Sequence, residues 1–121
     1  MAKTVLIVED YEDSRNFMKI VIESYGYQVI EASDGIEAVD SFKKYQPDLI
    51  LMDISLPMVD GLTTVKAIRE FDGSRHIPII AVTAFGKAYQ TRAIEAGCDE
   101  LIDKPINFKM LEPVISKYLE H

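Results

Sequence analysis

A chain of 121 residues with 48% hydrophobic and 27% charged side chains suits one globular domain, large enough to hold a core without cross-links. The formal net charge of -7 weighs against nucleic acid as a direct partner, because phosphate contacts need clustered Lys and Arg. No apolar stretch approaches the roughly 20 residues that cross a bilayer, so no membrane insertion is expected, and the single cysteine, Cys98, excludes an internal disulfide. The lone thiol and the lack of a visible signal peptide fit a cytoplasmic setting. Cys98 itself reads as a small residue packed after a helix, since nothing basic stands beside it in sequence.

Strand-like and helix-like stretches alternate along the whole chain, with no repeat or internal linker. Val5-Leu6-Ile7-Val8 is a continuous apolar run that ends in Glu9-Asp10. Phe17, Met18, Val21, Ile22 and Tyr25 then recur at helical spacing, and Gly26 is the expected stop. Tyr27 to Ala32 alternates and reads as an edge strand. Ser33 or Asp34 can cap the next helix, which carries Ile36, Val39, Phe42 and Lys43 and ends before Pro47. Asp48 to Asp53 is the third strand. Pro57 and Gly61 bracket a loop, and Leu62, Val65, Ile68 and Phe71 mark the third helix. Pro78 opens a fourth strand, Ile79-Ile80-Ala81-Val82, which runs into Thr83. Gly86 to Gly97 is a weaker helix with Ala88, Ala93, Ile94 and Ala96 as its small apolar face. Leu101-Ile102-Asp103 is a short strand that runs into Lys104-Pro105. The last helix carries Met110, Leu111, Val114, Ile115, Tyr118 and Leu119 behind Asn107 as N-cap; Pro113 inside it predicts a kink or a late start. His76 and Met58 read as loop residues with no evident partner.

Unbroken Val, Ile and Leu runs suit strands buried on both faces, so five strands alternating with five helices predict an α/β fold with a parallel sheet between helical layers. In such sheets the ligand site lies beyond the carboxyl ends of the strands. That edge would gather Glu9, Asp10, Asp53, Thr83 and Lys104: three carboxylates, a hydroxyl and an ammonium. The set suits a divalent cation and a phosphoryl group. Asp53 is the candidate nucleophile, because a carboxylate can attack phosphorus to form an aspartyl-phosphate. Clustered carboxylates repel, by roughly 4 kcal/mol for two charges ~4 Å apart at an effective dielectric of 20, and so call for a cation. Mg²⁺ suits this chemistry, taking one or two carboxylates, waters and a phosphate oxygen. Asp10 and Asp53 would be direct ligands and Glu9 would act mainly through water. Taken singly, each residue has a plainer reading as a cap, a solvated turn or a surface lysine. Taken together, four strand ends would have to present complementary groups by accident.

Glu9-Asp10, Asp53, Pro57, Asp60-Gly61, Thr83-Ala84, Gly97 and Lys104-Pro105 give the chain an end-to-end resemblance to the receiver domains of two-component response regulators, of the chemotaxis-regulator kind. The resemblance implies a flavodoxin-like, doubly wound five-stranded sheet of order 2-1-3-4-5 spanning residues 1–121. It implies that Asp53 accepts a phosphoryl group from a histidine kinase or phosphotransfer protein, and that Thr83 and Lys104 bind the phosphoryl oxygens. It also implies that the Ser55 backbone carbonyl completes the metal ligands and that the Lys104–Pro105 bond is cis. The expected output is a changed protein-contact surface read by a downstream target or output domain. Such a chain is not an enzyme in the ordinary sense, although it promotes its own phosphorylation and dephosphorylation.

Two departures from the family pattern bear on the switch. Leu101 stands where many receivers carry an aromatic residue that rotates inward. Ser55 and Phe85 flank the path of the hydrolytic water, and neither offers a carboxylate or amide to orient it, so a long-lived phosphorylated state is expected. Two other readings compete. A Mg²⁺-dependent aspartyl phosphohydrolase would need a second Asp where Ser55 stands. A docking module of the same fold without phosphorylation would be favoured by the loss of Asp53, Thr83 or Lys104, and all three are present.

Overall fold

The computed structural model describes residues 2–54, 59–73, 75–84 and 86–120. Five strands alternate with five helices: β1 (Thr4–Val8), α1 (Glu12–Ser24), β2 (Gln28–Ala32), α2 (Gly35–Tyr45), β3 (Leu49–Asp53), α3 (Val59–Asp72), β4 (Ile79–Thr83), α4 (Gly86–Ala96), β5 (Glu100–Asp103) and α5 (Phe108–Leu119). The strands form one parallel sheet of order β2-β1-β3-β4-β5. The flavodoxin-like topology expected from the sequence is therefore present.

Side-chain alternation divides the core between the two faces of the sheet. Leu6, Val8, Ile50, Met52 and Ile79 pack with Phe42, Val65 and Ile68 of α2 and α3. Val5, Ile7, Leu51, Ile80 and Val82 pack with Met18, Ile22, Leu111 and Ile115 of α1 and α5. All of these are buried. At roughly 1.5–3 kcal/mol for each large apolar side chain removed from water, the central strands dominate the stabilising side of the balance. Their carboxyl ends are thus held by both layers.

The N-terminus of α2 shows how local chemistry sets an element boundary. Asp34 is the cap, its Oδ1 accepting from the Glu37 backbone N–H at 2.8 Å. Glu37 reaches back, and its Oε1 accepts from the Ser33 N–H at 2.9 Å, so orphan donors are satisfied reciprocally. Asn107 caps α5 by accepting from the Lys109 N–H at 3.0 Å.

Several sequence expectations are corrected here. Gly61 lies inside α3, not in a loop, where an added Cβ would stand 3.3 Å from Ile54 Cγ1; close packing selects the glycine. Helix α5 starts at Phe108 and runs without a break through Pro113, so the late start does not occur. Phe17, Ile36, Phe71, Ile94 and Met110 are exposed, and so is Ala88. Helical spacing names a face broader than the strip that one sheet can cover, and these residues lie at its margins. Cys98 is buried as expected, and burial pushes its thiol up to about 11, well away from a reactive thiolate at neutral pH.

Candidate functional site

β1, β3 and β4 each end within one residue of their neighbour, with Val8 opposite Met52 and Asp53 opposite Val82 in register. The residues that leave these strands therefore meet at one edge. Glu9 follows β1, and its N–H extends the ladder to the Ala32 carbonyl at 3.0 Å. Asp53 is the last residue of β3, Thr83 the last of β4, and Lys104 follows β5. The Lys104 N–H donates to the Thr83 carbonyl at 2.9 Å, which ties the end of β5 to the end of β4. The Lys104–Pro105 peptide is cis, as the resemblance implies.

The side chains form a compact electrostatic group. Lys104 Nζ stands 2.7 Å from Asp53 Oδ2, and the Asp53 side chain is only 3% exposed. Asp53 Oδ1 is buried with no hydrogen-bond partner. Glu9 is buried beside Asp53 and Asp10; burial, then hydrogen bonding to those carboxyls, pushes its pKa up to about 8. In the metal-free protein this favours the neutral form of Glu9. Thr83 is fully buried, whereas Asp10 is exposed to solvent. Among the described residues, no three His, Cys, Asp or Glu side chains converge as a ready-made metal cage. Ser55 and Phe85 lie outside the described residues, as do Pro57 and Met58, and no side-chain description extends to Asp60.

The raised Glu9 pKa makes a testable demand on stability. A group protonated more firmly in the folded than in the unfolded state contributes stability below its unfolded pKa, near 4.3. That contribution is lost as pH rises through its folded value, here about 8. Without Mg²⁺, the stability of the native sequence relative to Glu9→Gln should fall between pH 5 and pH 8, by about 2 kcal/mol or more given about 1.4 kcal/mol for each unit of displacement. Urea titrations of both proteins at the two pH values measure it; a difference that stays constant would refute the buried, protonated Glu9.

Next to the charged group an open cleft of about 530 Å³ runs between α1 and the segment leading into α5. Glu9, Asp53 and Lys104 line one end, and Phe17, Ile106 and Phe108 the other. Phe17 and Phe108 meet edge to face, their centroids 5.2 Å apart. Phe17 is therefore not a core residue but an apolar wall beside the carboxylates.

A family model described as the response regulator receiver domain matches residues 5–116. This chain belongs to the response regulator receiver domain family. The polar-differentiation response regulator DivK of Brucella anthropi is 44% identical over 120 residues, 98% of each chain, and that of Brucella ovis is 43% identical over the same share. Among solved structures, the receiver domain of the sensor histidine kinase PA1611 from Pseudomonas aeruginosa superposes with a TM-score of 0.88 at 30% identity, covering all of both chains. That structure holds a magnesium ion coordinated in its active-site cleft. The chemotaxis protein CheY4 of Vibrio cholerae also gives 0.88, at 26% identity over 98% of this chain and 99% of that one. The chain is accordingly a signalling receiver domain of two-component systems.

Other residues the sequence did not single out emerge in this receiver domain. His76, read as unpartnered, places Nε2 2.8 Å from Asp99 Oδ1. Arg69 donates to the carboxylates of Asp72 and Asp99 and to the carbonyls of Ile77 and Gly97. Arg15 donates to the Glu9 carbonyl. Asp72 stands three residues from Arg69 on α3, but the contacts of Arg69 with Gly97 and Asp99, and of His76 with Asp99, join segments that only the sheet order brings together. No described helix is long and apolar enough to cross a membrane.

Proposed function

We propose that this receiver domain, one unit over residues 1–121, takes a phosphoryl group onto Asp53 from a histidine kinase or histidine phosphotransfer protein. The observation that carries the proposal is the Lys104–Asp53 pair at 2.7 Å beside a buried Asp53 oxygen that has no partner. An Asp53 oxygen attacks phosphorus; the phosphorus–nitrogen bond of the donor breaks, and the leaving imidazole takes up a proton. Lys104 then pairs with phosphoryl oxygen, and the Thr83 hydroxyl donates to another, which stabilises the charge that the transfer brings to the site.

The donor set fits Mg²⁺. An orphaned carboxylate oxygen beside a second, protonated carboxyl is a place for a hard cation. Asp10 and Asp53 would hold the ion directly, Glu9 through water, and Ser55 by its carbonyl. When bound it would neutralise charge on the transferring group. The open cleft and its Phe17–Phe108 wall offer an amphipathic donor surface a seat beside Asp53. The domain works in the cytoplasm, catalyses no turnover beyond its own phosphorylation and dephosphorylation, and makes no direct contact with nucleic acid; its output is a protein contact.

Acetyl phosphate with millimolar Mg²⁺ should add one phosphoryl group, visible by intact mass, and EDTA should prevent it. No uptake under these conditions would overturn the reading and favour a docking module that is never phosphorylated. Mg²⁺ alone should raise the melting temperature. Linkage gives about 2.7 kcal/mol at a free concentration 100 times the dissociation constant. The same rise in Asp10→Asn would count against the ligand set.

Leu101 is half-buried against the α2, α3 and α4 layer and has no hydroxyl to exchange partners. We infer that the response runs through Thr83 and the start of α4, whose described buried residues are only Gly86, Ala93 and Ala96. So small an apolar face should be displaced more readily than its neighbours. Phosphorylation should change amide shifts mainly in residues 83–99. Thr83→Ala should still accept phosphate but lose most of that change; an undiminished response would exclude this route.

A further inference from the structure

We infer that Arg15 is a positioning residue for the acidic pair, because its guanidinium clamps the very peptide that joins Glu9 to Asp10. Arg15 Nη1 donates to the Glu9 carbonyl at 3.0 Å, and Nε stands 3.4 Å from Glu31 Oε1 on β2. The Arg15 side chain is only 18% exposed. The Glu9 N–H is already held by the Ala32 carbonyl, also on β2. Both main-chain groups of Glu9 are thus fixed to the β2 side of the site, one by the ladder and one by Arg15. The Glu9 carbonyl lies in the plane of the Glu9–Asp10 peptide. Holding that oxygen therefore holds the Asp10 Cα and sets where both carboxylates leave the backbone.

The alternative role for a cation here would be to tune the field. Arg15 is charge-paired with Glu31, so much of its field is cancelled close by. By charge alone, removing Arg15 would tighten a divalent cation at the neighbouring carboxylates. By position alone, removing it would loosen the cation. The two effects have opposite signs, and the position effect should win, since groups that orient a metal's ligands are typically worth about tenfold or more in affinity. The inference rests on the Mg²⁺ site of the proposed function.

The test is Mg²⁺ titration followed by amide shifts, in the full chain and well below its melting temperature. Arg15→Gln should weaken Mg²⁺ binding by about tenfold and shift the Glu9 and Asp10 amides of the metal-free protein. Arg15→Gln with Glu31→Gln keeps the net charge and should be equally weak. Arg15→Lys, which keeps the charge and can hold the carbonyl but not the fork, should fall between. Wild-type affinity in the double variant would show a field effect and overturn the inference. So would affinity within twofold of wild type in Arg15→Gln, even with a lower melting temperature, because that pattern marks a purely structural tie. Should Arg15→Gln fail to fold, Arg15→Lys decides, and full wild-type affinity there counts against the clamp. A wild-type chain that binds no Mg²⁺ at all would instead refute the metal site of the proposed function, and with it the positioning role of Arg15.

Discussion

Asp53→Asn will take up phosphoryl group from acetyl phosphate at least about 100-fold more slowly than the native sequence, while keeping its fold. The amide is isosteric with the carboxylate but is a far poorer nucleophile. Folding should not suffer. The native Asp53 Oδ1 is buried without a partner beside the Glu9 carboxyl. The Glu9 carboxyl, pushed toward its protonated form, can donate to an Asn carbonyl oxygen as it can to Asp53, and the Asn amide N–H can donate in turn. What is lost is the pair with Lys104, whose side chain is 36% exposed and can turn to water. Intact mass after acetyl phosphate treatment reads the first point and thermal melting the second. Wild-type labelling in Asp53→Asn would move the acceptor elsewhere; a collapsed fold would mean that the Lys104 pair is structural.

Arg69→Met should be the most destabilising single change outside the apolar core. Nη1 donates to Asp72 Oδ2 at 2.8 Å and to the Ile77 carbonyl at 2.6 Å. Nε and Nη2 share the Gly97 carbonyl, and Nη2 also reaches Asp99 Oδ2 at 2.9 Å. One side chain thereby joins the end of α3, the approach to β4 and the turn between α4 and β5. Gly97 at φ 120 completes the fit, since a Cβ there would stand 2.8 Å from Arg69 Cγ. Methionine matches much of the volume but leaves the Asp72 carboxylate, 2% exposed, without its cation. Stranding one partner of a buried ion pair costs about 3–5 kcal/mol. That corresponds to roughly 10 °C or more in melting temperature for a domain of this size. Asp72 and Asp99 also accept from the N–H groups of Ile77 and Ile79, so the loss should spread into the start of β4. Urea unfolding measures it, and a loss below about 1 kcal/mol would show that the two acids are satisfied by other means.

These two residues illustrate what kinds of information the chain carries. Asp53 is visible from the sequence because its signal is local: the four-residue apolar run Leu49–Met52 reads as a buried strand, and a carboxylate directly after it emerges at the strand end. The same logic exposes Glu9, Thr83 and Lys104. It fails for the long-range contacts of Arg69, which lie 28 and 30 residues away in Gly97 and Asp99. It fails equally for His76, which reads as an idle loop residue until β4 and β5 lie side by side and bring Asp99 to its ring.

The alternation of elements, the two-faced burial of the strands and the chemistry available at their carboxyl ends are all legible in the chain. All of these follow from spacings of two to four residues and from what stands next to an apolar run. Which member of the Glu9-Asp10 pair is buried, with its pKa raised, and which stays in water depends on the fold. The fold also places Phe17 in the cleft instead of the core, and lets Arg15 reach Glu31 on β2 and Arg69 reach Asp99. The reason is physical: burial and hydrogen-bond partners depend on which strands become neighbours. In a sheet of order 2-1-3-4-5, β1 lies between β2 and β3, so the partners of a side chain are set by the pairing of strands and not by distance along the chain.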